Sequence, residues 1–241
     1  MLDFVGYGYR RVTCELRRRG WTVNRKKVLR LMREEKLLCG RSRCKIRTTM
    51  SSHGLPVYPN MAKGMVLDNI NQLWVSDITY IGINGNFAYL SIVIDAYSRK
   101  CVGWHLSKRI DTELVLTAFQ KSLKTRVHLG VSGMVHHSDR GVQYASLEYT
   151  ESLKLSEVQI SMSRVGNPYD NAYAESFIKT LKFEEVYQTE YESFKEANEG
   201  IERFIELYNR KRLHSSLGYM SPDEFEEHLL KQTKTTSTVL T

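Results

Sequence analysis

The stretch LWVSDITYIGI at residues 73–83 constrains this chain most. It is β-branched and aromatic and reads as a strand. Asn84-Gly85 follows, a dipeptide suited to a two-residue hairpin turn because both positions tolerate positive φ. NFAYLSIVIDAYSRKCVGWHLS then holds two more strands and folds back at Asp95–Lys100. DTELVLTAFQKSLKTR predicts a helix, with Asp111 as its cap and Leu114, Ala118 and Leu123 inward. MVHHSD predicts a strand, SLEYTESLKL a helix and EVQISMS a strand, and residues 169–181 and 191–209 predict two further helices. Three antiparallel strands followed by helix, strand, helix, strand and helix predict a mixed five-stranded α/β sheet with helices on both faces. The 241 residues, 41% hydrophobic and 26% charged, suffice for such a core and a small additional domain.

Charge sets the first part of the chain apart. Residues 1–50 hold fifteen Lys and Arg against four Asp and Glu, a net +11, whereas the rest carries −3. YRRVTCELRRR predicts a helix with Val12 and Leu16 on one side, ended by Gly20. Asn24 caps a second helix, NRKKVLRLMREEKLL, with Val28, Leu31, Met32 and Leu38 toward a small core. Arg25, Lys26, Lys27, Arg30 and Arg33 cover its other side. Helix, short Gly-containing turn and basic helix form a helix-turn-helix pattern, and LCGRSRCKIRTTM adds a basic wing. The resulting domains are a small all-α DNA-binding domain at 1–52, a linker at 53–72, a catalytic core at 73–190, a C-terminal helical segment at 191–231 and a frayed tail at 232–241. The linker region, SSHGLPVYPNMAKGMVLDNINQ, holds two of the four prolines and has no period. Cys14, Cys39, Cys44 and Cys101 form no C-x-x-C pair, and His53 beyond them completes no good zinc pattern. No apolar run approaches the ~18 residues of a membrane span, and no signal peptide is evident.

Three carboxylates fall where chemistry is expected. Asp77 interrupts an apolar strand, where an unpaired charge is costly. Asp139 ends a strand and precedes Arg140-Gly141, and strand ends present catalytic groups. Glu175 lies within the helix DNAYAESFIKTLK, with thirty-five residues between it and Asp139, and Lys182 shares its face after two turns. Taken singly, each has a structural explanation: a buried partner for Asp77, a turn cap for Asp139, an ion pair with Lys179 for Glu175. Brought together, they repel unless a divalent cation neutralises them. Hard oxygen ligands suit Mg²⁺, and a pair of such ions clamps both oxygens of an in-line displacement at phosphorus. Asp95 is the rival carboxylate and reads as a turn residue. Of His136 and His137, one is expected in the core and one toward the site; His214 braces the C-terminal segment, and Asp170 caps the helix carrying Glu175.

These words together resemble those of a known family. WVSDITYI, IDAYSRKCVGW, HHSDRGVQYAS, MSRVGNPYDNAYAESFIKTLKFE, YNRKRLHSSLGYMSPDEF and YGYRRVTCELRRRGWTVNRKKVLRLMREEKLL resemble the orfB-type transposases of the bacterial insertion sequence three family. The matches run from Tyr7 to Glu226. The resemblance implies an RNase H-like core with Asp77, Asp139 and Glu175 as catalytic and metal-binding residues. It implies two Mg²⁺ or Mn²⁺ ions during catalysis and an N-terminal helix pair that contacts DNA. The partners it implies are the element's terminal inverted repeats and target DNA, further copies of the chain, and the upstream-frame protein of the same element. Asn171 and Lys182, on the face of Glu175, are candidate contacts to DNA or substrate phosphate. The implied location is the bacterial cytoplasm, on the nucleoid when bound, with no membrane partner. Val165 stands where many relatives carry a basic residue. Relatives also have more sequence upstream of YGYRR, as a second-frame product or truncated copy would lack. The alternatives are an RNase H-type nuclease and a catalytically idle, domesticated DNA-binding protein.

If the basic helix and wing neutralise about six phosphates, the logarithm of the DNA-binding constant falls with the logarithm of salt at a slope of about −5. Salt titration of end-DNA binding checks this, and loss of residues 1–52 should flatten the slope and remove preference for end DNA.

Overall fold

The computed structural model describes residues 5–38, 54–126, 128–164 and 171–239, the last seven without their side chains. Two compact units result: residues 47–205, and residues 1–46 together with 206–241.

The larger unit is built on a five-stranded sheet of order β3-β2-β1-β4-β5. β1 (Leu73–Ile83), β2 (Asn86–Asp95) and β3 (Cys101–Ser107) form an antiparallel meander. Asn84 and Gly85 turn the first hairpin with φ of 43° and 75°, the positive angles such a turn demands. The second bend is organised by Asp95, which is fully buried. Its carboxylate accepts the N–H groups of Asn71, Tyr97 and Ser98 at 2.7, 2.9 and 3.0 Å, and buried Arg126 stands 4.0 Å away. Asp95 is thus the turn residue that the sequence indicates. β4 (Val135–Ser138) pairs parallel with β1, and β5 (Gln159–Met162) parallel with β4.

Helices cover both faces. α3 (Thr112–Arg126), α4 (Val142–Ala145) and α5 (Leu147–Leu155) close one core, in which Trp74, Val93, Phe119, Tyr144, Tyr149 and Leu153 are buried. Asp111 accepts the N–H of Leu114 at 3.2 Å, as a cap should. α6 (Ala172–Leu181) turns Ala174, Phe177 and Leu181 inward, and Phe177 meets Phe204 of α7 (Phe194–Lys211) edge to face. The run that reads as a linker is not a free tether. Pro59 O accepts from Met162 N at 3.4 Å and Ser161 Oγ from Met61 N at 2.8 Å, so its chain lies along β5.

In the smaller unit α1 (Tyr9–Arg18) and α2 (Arg25–Glu34) bury Val12, Val28 and Met32. Gly20 ends α1 with φ 85°, and Asn24 caps α2 by accepting the N–H of Lys26 at 2.8 Å. Leu31 and Leu38 are exposed, contrary to the sequence reading. Two ten-residue helices meet along one narrow seam, and only the i, i+4 pair Val28 and Met32 fills it. The wing, with Cys39, Cys44 and His53, lies outside the described residues, as do Val165 and Asp170.

The segment set apart at 191–231 divides within α7, and its later part belongs with the N-terminal helices. Tyr7 Oη accepts from Leu213 N at 2.7 Å, Arg18 pairs with Glu224, and the buried Arg212 guanidinium lies 6.0 Å from the Tyr7 ring. His214 pairs its main chain with Met220 and sets its ring 5.0 Å from Tyr208, the bracing role its position suggests. α8 (Pro222–Val239) carries helix through most of the supposed tail, which has no Pro or Gly to stop it. Because residues 1–52 contribute Tyr7 and Arg18 to this unit, neutralising the five basic side chains of α2 in place is the cleaner test of the salt slope.

Gly103 on β3 lets α3 approach. A Cβ there would meet Ala118 O at 2.4 Å and Ser122 Cβ at 2.7 Å. Gly103→Ala is therefore expected to cost about 2–3 kcal/mol through overpacking, checked by urea denaturation.

Candidate active site

The sheet brings the two aspartates together. β1 and β4 align Leu73 with Val135, Trp74 with His136 and Val75 with His137. Asp77 lies two residues past this ladder on β1 and Asp139 directly follows β4, close enough for the charge of Asp139 to raise the Asp77 carboxyl. Side chains alternate along β1. Ser76, one residue before Asp77, faces the other side and meets Tyr144 of α4, its Oγ 3.2 Å from Tyr144 Oη. Asp77 therefore faces away from the α3–α5 core and toward α6.

Each carboxylate is held locally. Asp77 Oδ1 accepts the N–H of Ile78 at 2.8 Å, and Asp139 Oδ1 accepts the N–H of Gly141 at 2.9 Å. An added Cβ at Gly141 would crowd Asp139 Oδ1 at 3.0 Å. Arg140 turns back to β5, its Nε donating to Ser163 O at 2.8 Å. Glu175, in the first turn of α6, is half-buried and pairs with Lys179 at 3.4 Å. Lys179 itself is largely exposed, as a solvated surface residue should be. Lys182 follows α6 at the head of a π-helical turn, Lys182–Val186.

Electrostatics link these groups. Burial, then the charge of Asp139, pushes the Asp77 carboxyl up to about 7; Glu175 adds to the rise, while the Ile78 N–H and Lys182 oppose it. The three carboxylates and Lys182 thus share one electrostatic neighbourhood. They do not form a closed cage: among the described residues no three His, Cys, Asp or Glu side chains are gathered to hold a metal.

The remaining candidates separate. His136 and His137 are both buried on opposite faces of the sheet: His136 in the α3–α5 core and His137, paired with Val75, on the face of Asp77. His136 Nε2 lies 3.1 Å from Tyr149 Oη, and burial pushes its pKa down to about 3, so it is neutral. His137 is held between Ser161 Oγ and Ser163 Oγ at 2.8 and 3.0 Å. Asn171 is buried, and its Nδ2 donates to Ser76 O at 3.0 Å rather than facing outward. Arg25, Lys26, Lys27, Arg30 and Arg33 are all exposed. The supporting roles of Ser76 and Tyr144 were not legible in the sequence; the only signal was a tyrosine five residues past Asp139.

A mixed five-stranded sheet flanked by helices is the fold of integrase catalytic cores. Residues 68–168 match the integrase core domain family, residues 156–222 match a second family of that description, and residues 6–45 match the HTH-like domain family. Over 223 residues the chain is 39% identical to the 31 kDa protein of insertion element IS600 from Shigella sonnei, covering 92% of this chain and 81% of that protein. It is 38% identical to the transposase of insertion sequence IS904 from Lactococcus lactis, covering 92% and 88%. It is 37% identical to transposase InsF of IS3A from Escherichia coli, covering 91% and 76%. The chain belongs to the IS3 family of bacterial insertion-sequence transposases, enzymes that cleave and transfer DNA strands. Among solved structures it shares its fold with a chain of the simian T-cell lymphotropic virus intasome in complex with PP2A regulatory subunit B56 gamma, with TM-score 0.55 at 16% identity over 91% of this chain and 70% of that one. It also resembles the catalytic core of BIV integrase, with TM-score 0.50 at 16% identity over 68% and 99%.

Asp77 remains protonated to about pH 7 in the folded chain and ionises near 4 when unfolded. Between those values the unfolded state binds fewer protons, so metal-free stability falls as pH rises from about 4 to about 7 and is level above. Asp77→Asn removes the penalty. Discounted for partial exposure, it should gain about 1–2 kcal/mol at pH 8 and nothing at pH 4, checked by urea denaturation in chelator.

Proposed function

We propose that Asp77, Asp139 and Glu175 are the catalytic carboxylates of this transposase and bind Mg²⁺ or Mn²⁺, two ions during the reaction. The observation that carries this is the nearness of Asp139 and Glu175 to Asp77, whose carboxyl is pushed up to about 7 by burial first and then by their charges. Half-buried like charges with oxygen donors alone fit a hard divalent cation. Such ions supply a lowered water pKa and charge neutralisation at the phosphorus.

The chain's own groups do the rest. Asp77, on β1, and Asp139, directly after β4, set the floor of the site. Glu175 approaches from α6 and is free to exchange its exposed partner Lys179 for the shared cation. Lys182, whose charge reaches Asp77, suits a substrate phosphate as a point charge. The reaction hydrolyses a phosphodiester at the element's end, and the freed 3′-hydroxyl then attacks another strand. No side-chain nucleophile is required.

Arg25, Lys26, Lys27, Arg30 and Arg33 form an exposed basic face on α2 that supports binding to the terminal inverted repeats. An element has two ends, each needing cleavage and joining, which favours several copies of the chain on one DNA complex. The upstream-frame protein of the same element is a further partner in this reading. No described helix is long and apolar enough to cross a membrane. A DNA substrate favours the cytoplasm, at the nucleoid when bound.

Asp139→Asn and Glu175→Gln should each lower end cleavage and strand transfer by about a thousandfold or more while end-DNA affinity stays within about twofold. Wild-type activity should need Mg²⁺ or Mn²⁺, with Ca²⁺ permitting binding alone. Assays on end duplex, unrelated duplex and RNA–DNA hybrid check this. Near-normal transfer by Asp139→Asn would overturn the triad, and preferential cutting of hybrid would favour a nuclease.

A further inference from the structure

Ser76, the residue before Asp77, is tied on two sides. Its hydroxyl donates to Ile92 O of β2 at 2.7 Å and lies 3.2 Å from Tyr144 Oη of α4. Its main-chain carbonyl accepts the Nδ2–H of Asn171 at 3.0 Å. The β1–β4 ladder covers only Leu73 to Val75, so the Ser76 carbonyl lies just beyond it and takes a side-chain donor instead.

Asn171 is an unusual helix cap. It occupies the N-cap position of α6 yet makes no capping hydrogen bond. An asparagine there ordinarily accepts the N–H two or three residues on. This one is 5% exposed and spends its amide on β1, and its Oδ1 is buried without a hydrogen-bond partner among the described residues. A helix cap forgone and a buried acceptor left unpaired both cost stability, so packing alone gives no reason for the arrangement. Glu175 lies four residues on, one turn along the same helix face.

We propose that Asn171 is a positioning residue for the reaction: by clamping the start of α6 to the Ser76 carbonyl, it holds Glu175 where it can share a cation with Asp77 and Asp139. The inference rests on the carboxylate reading above. Ser76 thereby becomes a common anchor. Its carbonyl sets α6 and Glu175, its hydroxyl meets the helix that follows Asp139, and its peptide leads directly into Asp77. A donor is required at position 171, because a carboxylate there would face the carbonyl oxygen with a second acceptor.

The test uses the full chain with Asn171→Ala, Asn171→Asp, Glu175→Gln and, as a control destabilised elsewhere, Val158→Ala in the α5 core. Mn²⁺ affinity is measured by calorimetry, thermal stability in chelator, and end-DNA binding in Ca²⁺. Both Asn171 variants should weaken Mn²⁺ binding by about tenfold or more, the usual effect of losing a group that orients a ligand. Their end-DNA affinity should remain near wild type. Val158→Ala should melt earlier and keep wild-type Mn²⁺ affinity. Excess Mn²⁺ should restore part of the cleavage activity in Asn171→Ala and none in Glu175→Gln. Unchanged Mn²⁺ affinity in the Asn171 variants, beside a weakened Glu175→Gln, would overturn the positioning role and leave the carboxylate reading standing. Unchanged affinity in Glu175→Gln as well would overturn both. If Asn171→Ala fails to fold, Asn171→Asp, which keeps the shape and removes the donor, decides by the same criterion.

Discussion

Two aspartates brought close together, one on β1 and one just after β4, are the constraint around which this core is arranged. Water would normally keep such charges apart. Here the pairing of Asp77 with Ile92 of β2 leaves its main chain no freedom to withdraw, and burial weakens the screening that would make the repulsion small. The strain appears as an Asp77 carboxyl raised to about 7. A stable fold retains such a pair only if the rest of the sheet is rigid enough to hold it, and if a cation is available when the enzyme works.

Much of the surrounding structure serves that rigidity. The bend after β2 is closed by a single buried carboxylate, Asp95, which satisfies three backbone donors and faces Arg126. β4 and β5 are stitched through His137, whose two ring nitrogens each meet a serine hydroxyl. On the α3 side, His136, Phe119, Tyr144 and Tyr149 interlock edge to face. Polar groups close to the chemistry are therefore committed to fixed partners, while Glu175, Lys179 and Lys182 retain the solvent access that a substrate requires. The DNA-binding helices follow a different logic. Their own seam is too small to be a core, and the C-terminal residues around Leu213 and Glu224 complete the unit.

The sequence by itself determined the kinds and order of the elements. β-branched runs, Asn84-Gly85, the caps Asn24 and Asp111, and the glycine at 20 are local signals, and local backbone energetics are enough to enforce them. It also marked Asp77, Asp139 and Glu175, because a charge within an apolar strand, one at a strand end and one on a helix at a specific spacing are rare together. Only the tertiary structure decided what depends on contacts between distant residues. The approach of Asp139 to Asp77 comes from β4 lying beside β1 in the sheet, and the clamp from Asn171 to Ser76 joins residues ninety-five positions apart. The burial of both histidines, the exposure of Leu31 and the joining of Tyr7 to Leu213 are likewise settled by which surfaces meet. None of these leaves a trace in local periodicity, since the free energy that selects them belongs to pairs of segments and not to either segment alone.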